Sequence, residues 1–97
     1  MTKKIIDFAD KETERIYNQE FSKKFPKEVQ KIALRKLLMM DNAADLNDLR
    51  VPPANRLKQL KGDRAGQYSI RVNDQYRICF RHENGCFFDV ELCDYHG

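Results

Sequence analysis

Hydrophobic and polar positions change their period midway along this chain. In the first half the apolar residues recur at helical spacing. Thr13, Ile16 and Tyr17, with Glu20 or Phe21, fall on one side, which predicts a helix over about 11–22 with Asp10 as its N-cap. Val29, Ile32, Ala33, Leu37 and Met40 form a broader stripe and predict a second helix over about 27–41, opening after Pro26. Ahead of them, residues 3–8 are short and partly β-branched and read as a strand. Asp45 with Asp48 marks a short helical turn that Pro52-Pro53 must end. Beyond it the period becomes two. Tyr68, Ile70 and Val72 alternate with Ser69, Arg71 and Asn73; after a two-residue turn Tyr76, Ile78 and Phe80 alternate with Arg77, Cys79 and Arg81. Asn84-Gly85 is a hairpin signal, followed by Phe88, Val90 and Leu92 as the inward residues of a last strand. A further strand near 56–61 precedes the Gly62-Asp63 turn. The expected fold is α+β: two N-terminal helices packed on a small, mainly antiparallel β-sheet.

Length changes this picture little, since 97 residues make one domain, 1–97, with one modest core. The longest apolar run is Leu37 to Met40, far short of the roughly 20 residues of a membrane span or the 7 to 15 or so of a signal-peptide core. A cytoplasmic protein with no membrane association is expected. Cys79, Cys86 and Cys93, an odd number at seven-residue spacing, fit neither a disulfide framework nor the close pairs of a zinc site. They read as reduced thiols, and neither a metal nor a cofactor is expected.

Charge adds more through its distribution than through its total of +3. Between Arg56 and Arg81 stand seven basic residues (Arg56, Lys58, Lys61, Arg64, Arg71, Arg77 and Arg81) against Asp63 and Asp74, whereas the last sixteen residues hold four acids and no lysine or arginine. Strand parity puts Arg71 and Arg77 on the face opposite the core, on neighbouring strands. Two guanidiniums facing the same way, with Lys61 nearby, make a cradle for the phosphates of an RNA backbone. A solvated, charged strand face satisfies the same parity, so both readings stay open at this point. Asp94-Tyr95-His96 follows the last strand and holds one of only two histidines. Imidazole exchanges protons near neutral pH, tyrosine stacks on bases, and aspartate orients an imidazole; equally, residues so near the end of a chain fray. His82 sits at core-facing parity beside the hairpin turn and is expected to have a structural or rim role.

The run from Val51 through Leu57-Lys58-Gln59-Leu60-Lys61-Gly62-Asp63-Arg64, Asn73-Asp74-Gln75-Tyr76-Arg77-Ile78 and the final Asp94-Tyr95-His96 closely resembles HigB toxins of the RelE/ParE superfamily, and the likeness reaches back through Phe8-Ala9-Asp10 and the second helix. The resemblance implies the RelE-like microbial RNase fold and a type II toxin that cuts messenger RNA in the ribosomal A site. It implies neutralisation by a helix-turn-helix antitoxin of the HigA type, an oligomeric toxin–antitoxin complex and a monomeric free toxin. Carried onto matching positions, it makes Lys61, Arg77, Asp94, Tyr95 and His96 catalytic. Lys61, Arg71 and Arg77 would hold the scissile phosphate, Asp94 and His96 move protons, Tyr95 position the RNA, and Lys58, Arg56 and Arg64 bind the substrate. The chain departs from the pattern at Lys58, where several HigB toxins carry a histidine. A lysine with its ordinary pKa of about 10.4 is a poor base, so Lys58 is expected to act as an electrostatic clamp.

Attack of an RNA 2′-hydroxyl on its own phosphate requires loss of that proton, stabilisation of charge on the phosphorane oxygens, and protonation of the leaving 5′-oxygen. Fixed cations supply the second requirement. Two rival functions use the same surface: arrest of translation by RNA or ribosome binding without cleavage, and poisoning of gyrase in the manner of ParE.

Overall fold

A computed structural model of the chain describes residues 3–94. Helix α1 spans Lys11–Tyr17, and the Asp10 carboxylate caps it by accepting the Thr13 N–H at 2.7 Å. It stops short of the expected residue 22. Gln19 takes a left-handed φ of 63°, the Glu20 N–H turns back to the Arg15 carbonyl at 2.8 Å, and Phe21 is left 63% exposed. Helix α2 spans Lys27–Asp41, as its apolar stripe requires. Two 3-10 turns follow, Leu46–Arg50 capped by Asp45 and Pro53–Asn55 after a cis Val51–Pro52 bond.

Four strands come next: β1 Lys58–Gln59, β2 Tyr68–Arg71, β3 Tyr76–Glu83 and β4 Cys86–Asp94, antiparallel and in spatial order β1-β2-β3-β4. The expected strand over 56–61 shrinks to two residues, because Arg56 adopts a left-handed φ of 46° and Gly62 one of 67°, so the chain bends on both sides of β1. The connection between β2 and β3 is four residues, not two. Asn73 Oδ1 accepts the N–H groups of Gln75 and Tyr76, both at 2.8 Å, an Asx turn that closes the hairpin.

Residues 3–8 form an extended segment parallel to β4 with single bridges, Ile5 to Phe87 and Phe8 to Val90, in place of a continuous strand. Its interruption and a departure in β4 share one cause. Asp89 has a left-handed φ of 52°, and the β3–β4 register shifts from Cys79 opposite Glu91 to Arg81 opposite Phe88. This bulge inserts one residue and reverses parity upstream of it. Phe87 is therefore fully buried and Phe88 only half-buried, which corrects the strict alternation expected from Phe88 onward. The Asp89 N–H donates to Asp7 Oδ1 at 2.6 Å and its carboxylate accepts Arg81 Nε at 2.9 Å, so the bulge is fixed on both sides.

The core lies between the helices and the inner sheet face: Ile16, Ala33, Leu37 and Met40 meet Ile70, Ile78, Phe80, Phe87 and Val90, with Phe80 and Phe87 edge to face at 5.1 Å. Asp41, at the end of α2, holds the N-terminal segment by accepting the Lys4 and Ile5 N–H groups at 3.1 and 3.0 Å, and it accepts the Tyr17 hydroxyl as well. Burial, and next the hydrogen bond to this carboxylate, push the Tyr17 phenol up to about 12. Thr13 Oγ1 accepts the buried Leu92 N–H at 2.9 Å and so ties α1 to β4 two residues before Asp94. His82 packs its ring 5.4 Å from that of Phe87.

Candidate functional site

The sheet's outer face is ordered by the strand register. One row runs Arg71, Arg77, Cys93 and the next Lys58, Ser69, Cys79, Glu91. The two arginines placed side by side by parity are thus direct cross-strand partners, as expected for neighbouring strands. Their side chains have different surroundings. Arg71 Nη2 pairs with Asp74 Oδ1 at 2.5 Å, within the turn that follows it. Arg77 lies over β2: its Nε donates to Ser69 Oγ at 2.7 Å, and its Nη2 donates to the Arg56 carbonyl at 2.7 Å and more distantly to the Ser69 carbonyl at 3.4 Å.

Arg56 contributes through its backbone as well as through its charge. Its left-handed conformation ends the Pro53–Asn55 turn and presents the carbonyl that Arg77 reaches. That loop is itself anchored from inside. Fully buried Asn55 accepts a hydrogen bond from Lys36 Nζ of α2 and donates through Nδ2 to the Leu49 carbonyl at 3.1 Å. Lys36 is 6% exposed, and burial, with the positive charges of Arg35 and Arg71 next, holds its ammonium below the usual lysine range.

The segment 60–67 folds over the other side of this face. Leu60 buries itself against Cys79 and Cys93, and the Lys61-Gly62-Asp63-Arg64 turn stands above them. Cys79 and Cys93 are reduced; the hydrogen bond between them, before any effect of burial, lowers the Cys79 thiol and raises that of Cys93. Lys61 is exposed at the start of the turn. Arg64 donates to Gln67 Oε1 at 2.9 Å and pairs with Glu91 at 3.3 Å. Cations that looked unbalanced along the sequence are therefore partly balanced in space, Arg64 by Glu91 and Arg81 by Asp89, both acids supplied by β4.

Asp94 closes β4 opposite Tyr76 and accepts Gln75 Nε2 at 3.1 Å. With Arg64, Glu91, Tyr76 and Lys24 it lines an open cleft of about 270 Å³ around the end of that strand. The structure brings Arg71, Arg77 and the Arg56 backbone together over β2 and β3, and Arg64 and Asp94 together at the cleft; Lys58 faces outward on β1 opposite Ser69. Tyr95 and His96 lie outside the described residues. Reading the sequence missed two groups. Ser69 gives no signal beyond being a small polar residue at outward parity. Lys36 does, since it stands between Ala33 and Met40, inside the apolar stripe of α2, where a lysine is out of place.

No helix among the described residues is long and apolar enough to cross a membrane. The model of a family described as the RelE-like toxin of the type II toxin–antitoxin system HigB matches residues 6–96. Toxin HigB-1 of Vibrio cholerae serotype O1 is 38% identical over 88 residues, which cover 90% of this chain and 93% of that protein. A Proteus vulgaris protein called endoribonuclease HigB is 36% identical over 61 residues, 63% of this chain and 65% of that one. Among solved structures, the YoeB-YefM complex from Staphylococcus aureus contains a chain that superposes with a TM-score of 0.54 over 96% of this chain and 95% of its own length, at 20% identity, a likeness of fold.

Proposed function

The chain belongs to the RelE-like HigB toxins of type II toxin–antitoxin systems, and from that premise we propose that it is an endoribonuclease that cuts messenger RNA on the ribosome by metal-independent attack of the 2′-hydroxyl. Membership of a toxin–antitoxin system brings an antitoxin partner; a helix-turn-helix antitoxin of the HigA type and an oligomeric complex are part of the proposal. The observation that carries the RNA reading is the adjacency of Arg71 and Arg77 on one outward face, with the Arg77 guanidinium fixed in place by Ser69 and Arg56. A cation already oriented stabilises charge developing on phosphorane oxygens without rearranging during the reaction.

In this reading Arg77 and Lys61 neutralise the phosphorane, Asp94 and His96 exchange the two protons, Tyr95 stacks on the RNA, and Lys58 acts as a clamp. Arg71 holds the scissile phosphate with Arg77 and Lys61, and Arg56 and Arg64 bind the substrate. The surface pair Arg71–Asp74 contributes only about 0–1 kcal/mol, and a phosphate competes for the same donors both there and at the half-buried Arg64–Glu91 pair, so neither opposes this.

The test is induction in bacteria with and without a co-expressed neighbouring antitoxin gene, while message 5′ ends are mapped. New 5′ ends and growth arrest, both suppressed by the antitoxin and both absent in Arg77→Ala, are expected. Arrest without new ends would refute cleavage in favour of occupancy.

A further inference from the structure

Ser69 is fully buried although it stands on the outward face of β2, in register between Lys58 and Cys79. The Arg77 side chain reaches across to it, with Nε 2.7 Å from the serine hydroxyl. On the far side of the same guanidinium, Nη2 is 2.7 Å from the Arg56 carbonyl. A left-handed φ of 46° is unfavourable for arginine and requires support from neighbouring structure. Here that support is the buried Asn55 side chain, held by Lys36 Nζ and by the Leu49 carbonyl. An unbroken chain of contacts thus runs from the interior of α2, through Asn55 and the Arg56 backbone, to Arg77 and on to Ser69.

We propose that Ser69 is a positioning residue for Arg77: its hydroxyl and the Arg56 carbonyl hold the guanidinium from two sides, so that its plane is set by the protein before RNA arrives. The inference rests on the RNA-cutting role given to Arg77 above. An arginine loses much of its rotamer freedom when fixed, and the two-sided hold places that loss in folding instead of in the reaction. Ser69 touches no RNA in this account; it acts through Arg77 alone. Its removal therefore slows the chemical step and leaves substrate capture nearly unchanged.

Two measurements on the full chain test this. The first is single-turnover cleavage of message on purified translating ribosomes by the parent protein, Ser69→Ala, Arg77→Lys and the double variant. The second is the NMR signal of Arg77 Nε–H, observed without RNA. Ser69→Ala is expected to be about tenfold slower at saturation, the effect of one lost orienting hydrogen bond, with half-saturation changed less than about twofold. It is expected to slow Arg77→Lys no further, because lysine has no Nε–H for the serine to hold. The Nε–H signal is expected to be ordered and slowly exchanging in the parent and to lose both properties in Ser69→Ala. An unchanged rate in Ser69→Ala, or equal slowing in both backgrounds, overturns the positioning role. A parent protein that leaves message intact overturns the nuclease reading, and the role of Ser69 with it, even where the Nε–H stays ordered.

Discussion

Replacing Thr13 by valine removes one oxygen and leaves the side chain's shape intact, which isolates a single contact. Thr13 is fully buried and its Oγ1 is the acceptor for the Leu92 N–H at 2.9 Å. Valine fills the same volume, so no cavity contributes. What remains is a buried backbone N–H without an acceptor, a loss of about 1–3 kcal/mol. For a domain of this size each kcal/mol lowers Tm by about 4–8 °C. Thr13→Ser keeps the oxygen and gives up one methyl group, about 0.8 kcal/mol. Thermal unfolding followed by circular dichroism measures both, and amide hydrogen exchange at Leu92 separates them: protection falls in Thr13→Val and persists in Thr13→Ser. The reasoning extends to the site, since Leu92 lies two residues before Asp94 and a loosened strand end moves that carboxylate. Thr13→Val with parental stability and a still-protected Leu92 amide would refute it.

The bulge at Asp89 makes neighbouring phenylalanines unequal: Phe87→Ala is expected to cost about 3–5 kcal/mol and Phe88→Ala well under half of that, as read by urea denaturation. Removal of the N-cap in Asp10→Ala should cost about 1 kcal/mol, visible in the same titration. Tyr17 sets an alkaline limit. Its phenol ionises at the ordinary value of 10.0 in the unfolded chain and at about 12 in the fold. The folded state therefore keeps a proton that the unfolded state releases, so this contribution is intact below pH 10 and declines as pH rises toward 12. Tyr17→Phe should be less stable at neutral pH and show a shallower decline across that window.

Much of the architecture was legible because it is written in periodicities. The stripe from Val29 to Met40 and the opening proline fix α2, and the alternation on either side of Asp74 fixes β2 and β3 with their arginines outward. Three of the departures arise where residues other than glycine take left-handed backbone. Gln19 ends α1 early, Arg56 shortens β1, and Asp89 creates the bulge that exchanges Phe88 for Phe87; none of the three carries a compositional mark. Of the site, the pairing of Arg71 with Arg77 was readable and the fixing of Arg77 was not, because its two acceptors are a serine hydroxyl and a backbone carbonyl that only the tertiary fold brings near. The balancing of Arg64 by Glu91 escaped notice for a similar reason: the partners are 27 residues apart.

The parallel seam joining Ile5 and Phe8 to Phe87 and Val90 bears on how this protein is born. Asp7 and Asp89 meet across 82 residues, and closing a loop of that length costs roughly 4 kcal/mol in its length-dependent part. The N-terminal segment can reach Asp41 of α2 early, but its bridges wait until β4 is in place. The seam consequently closes only after the last strand of the sheet has formed, and until then that edge of the fold is unfinished.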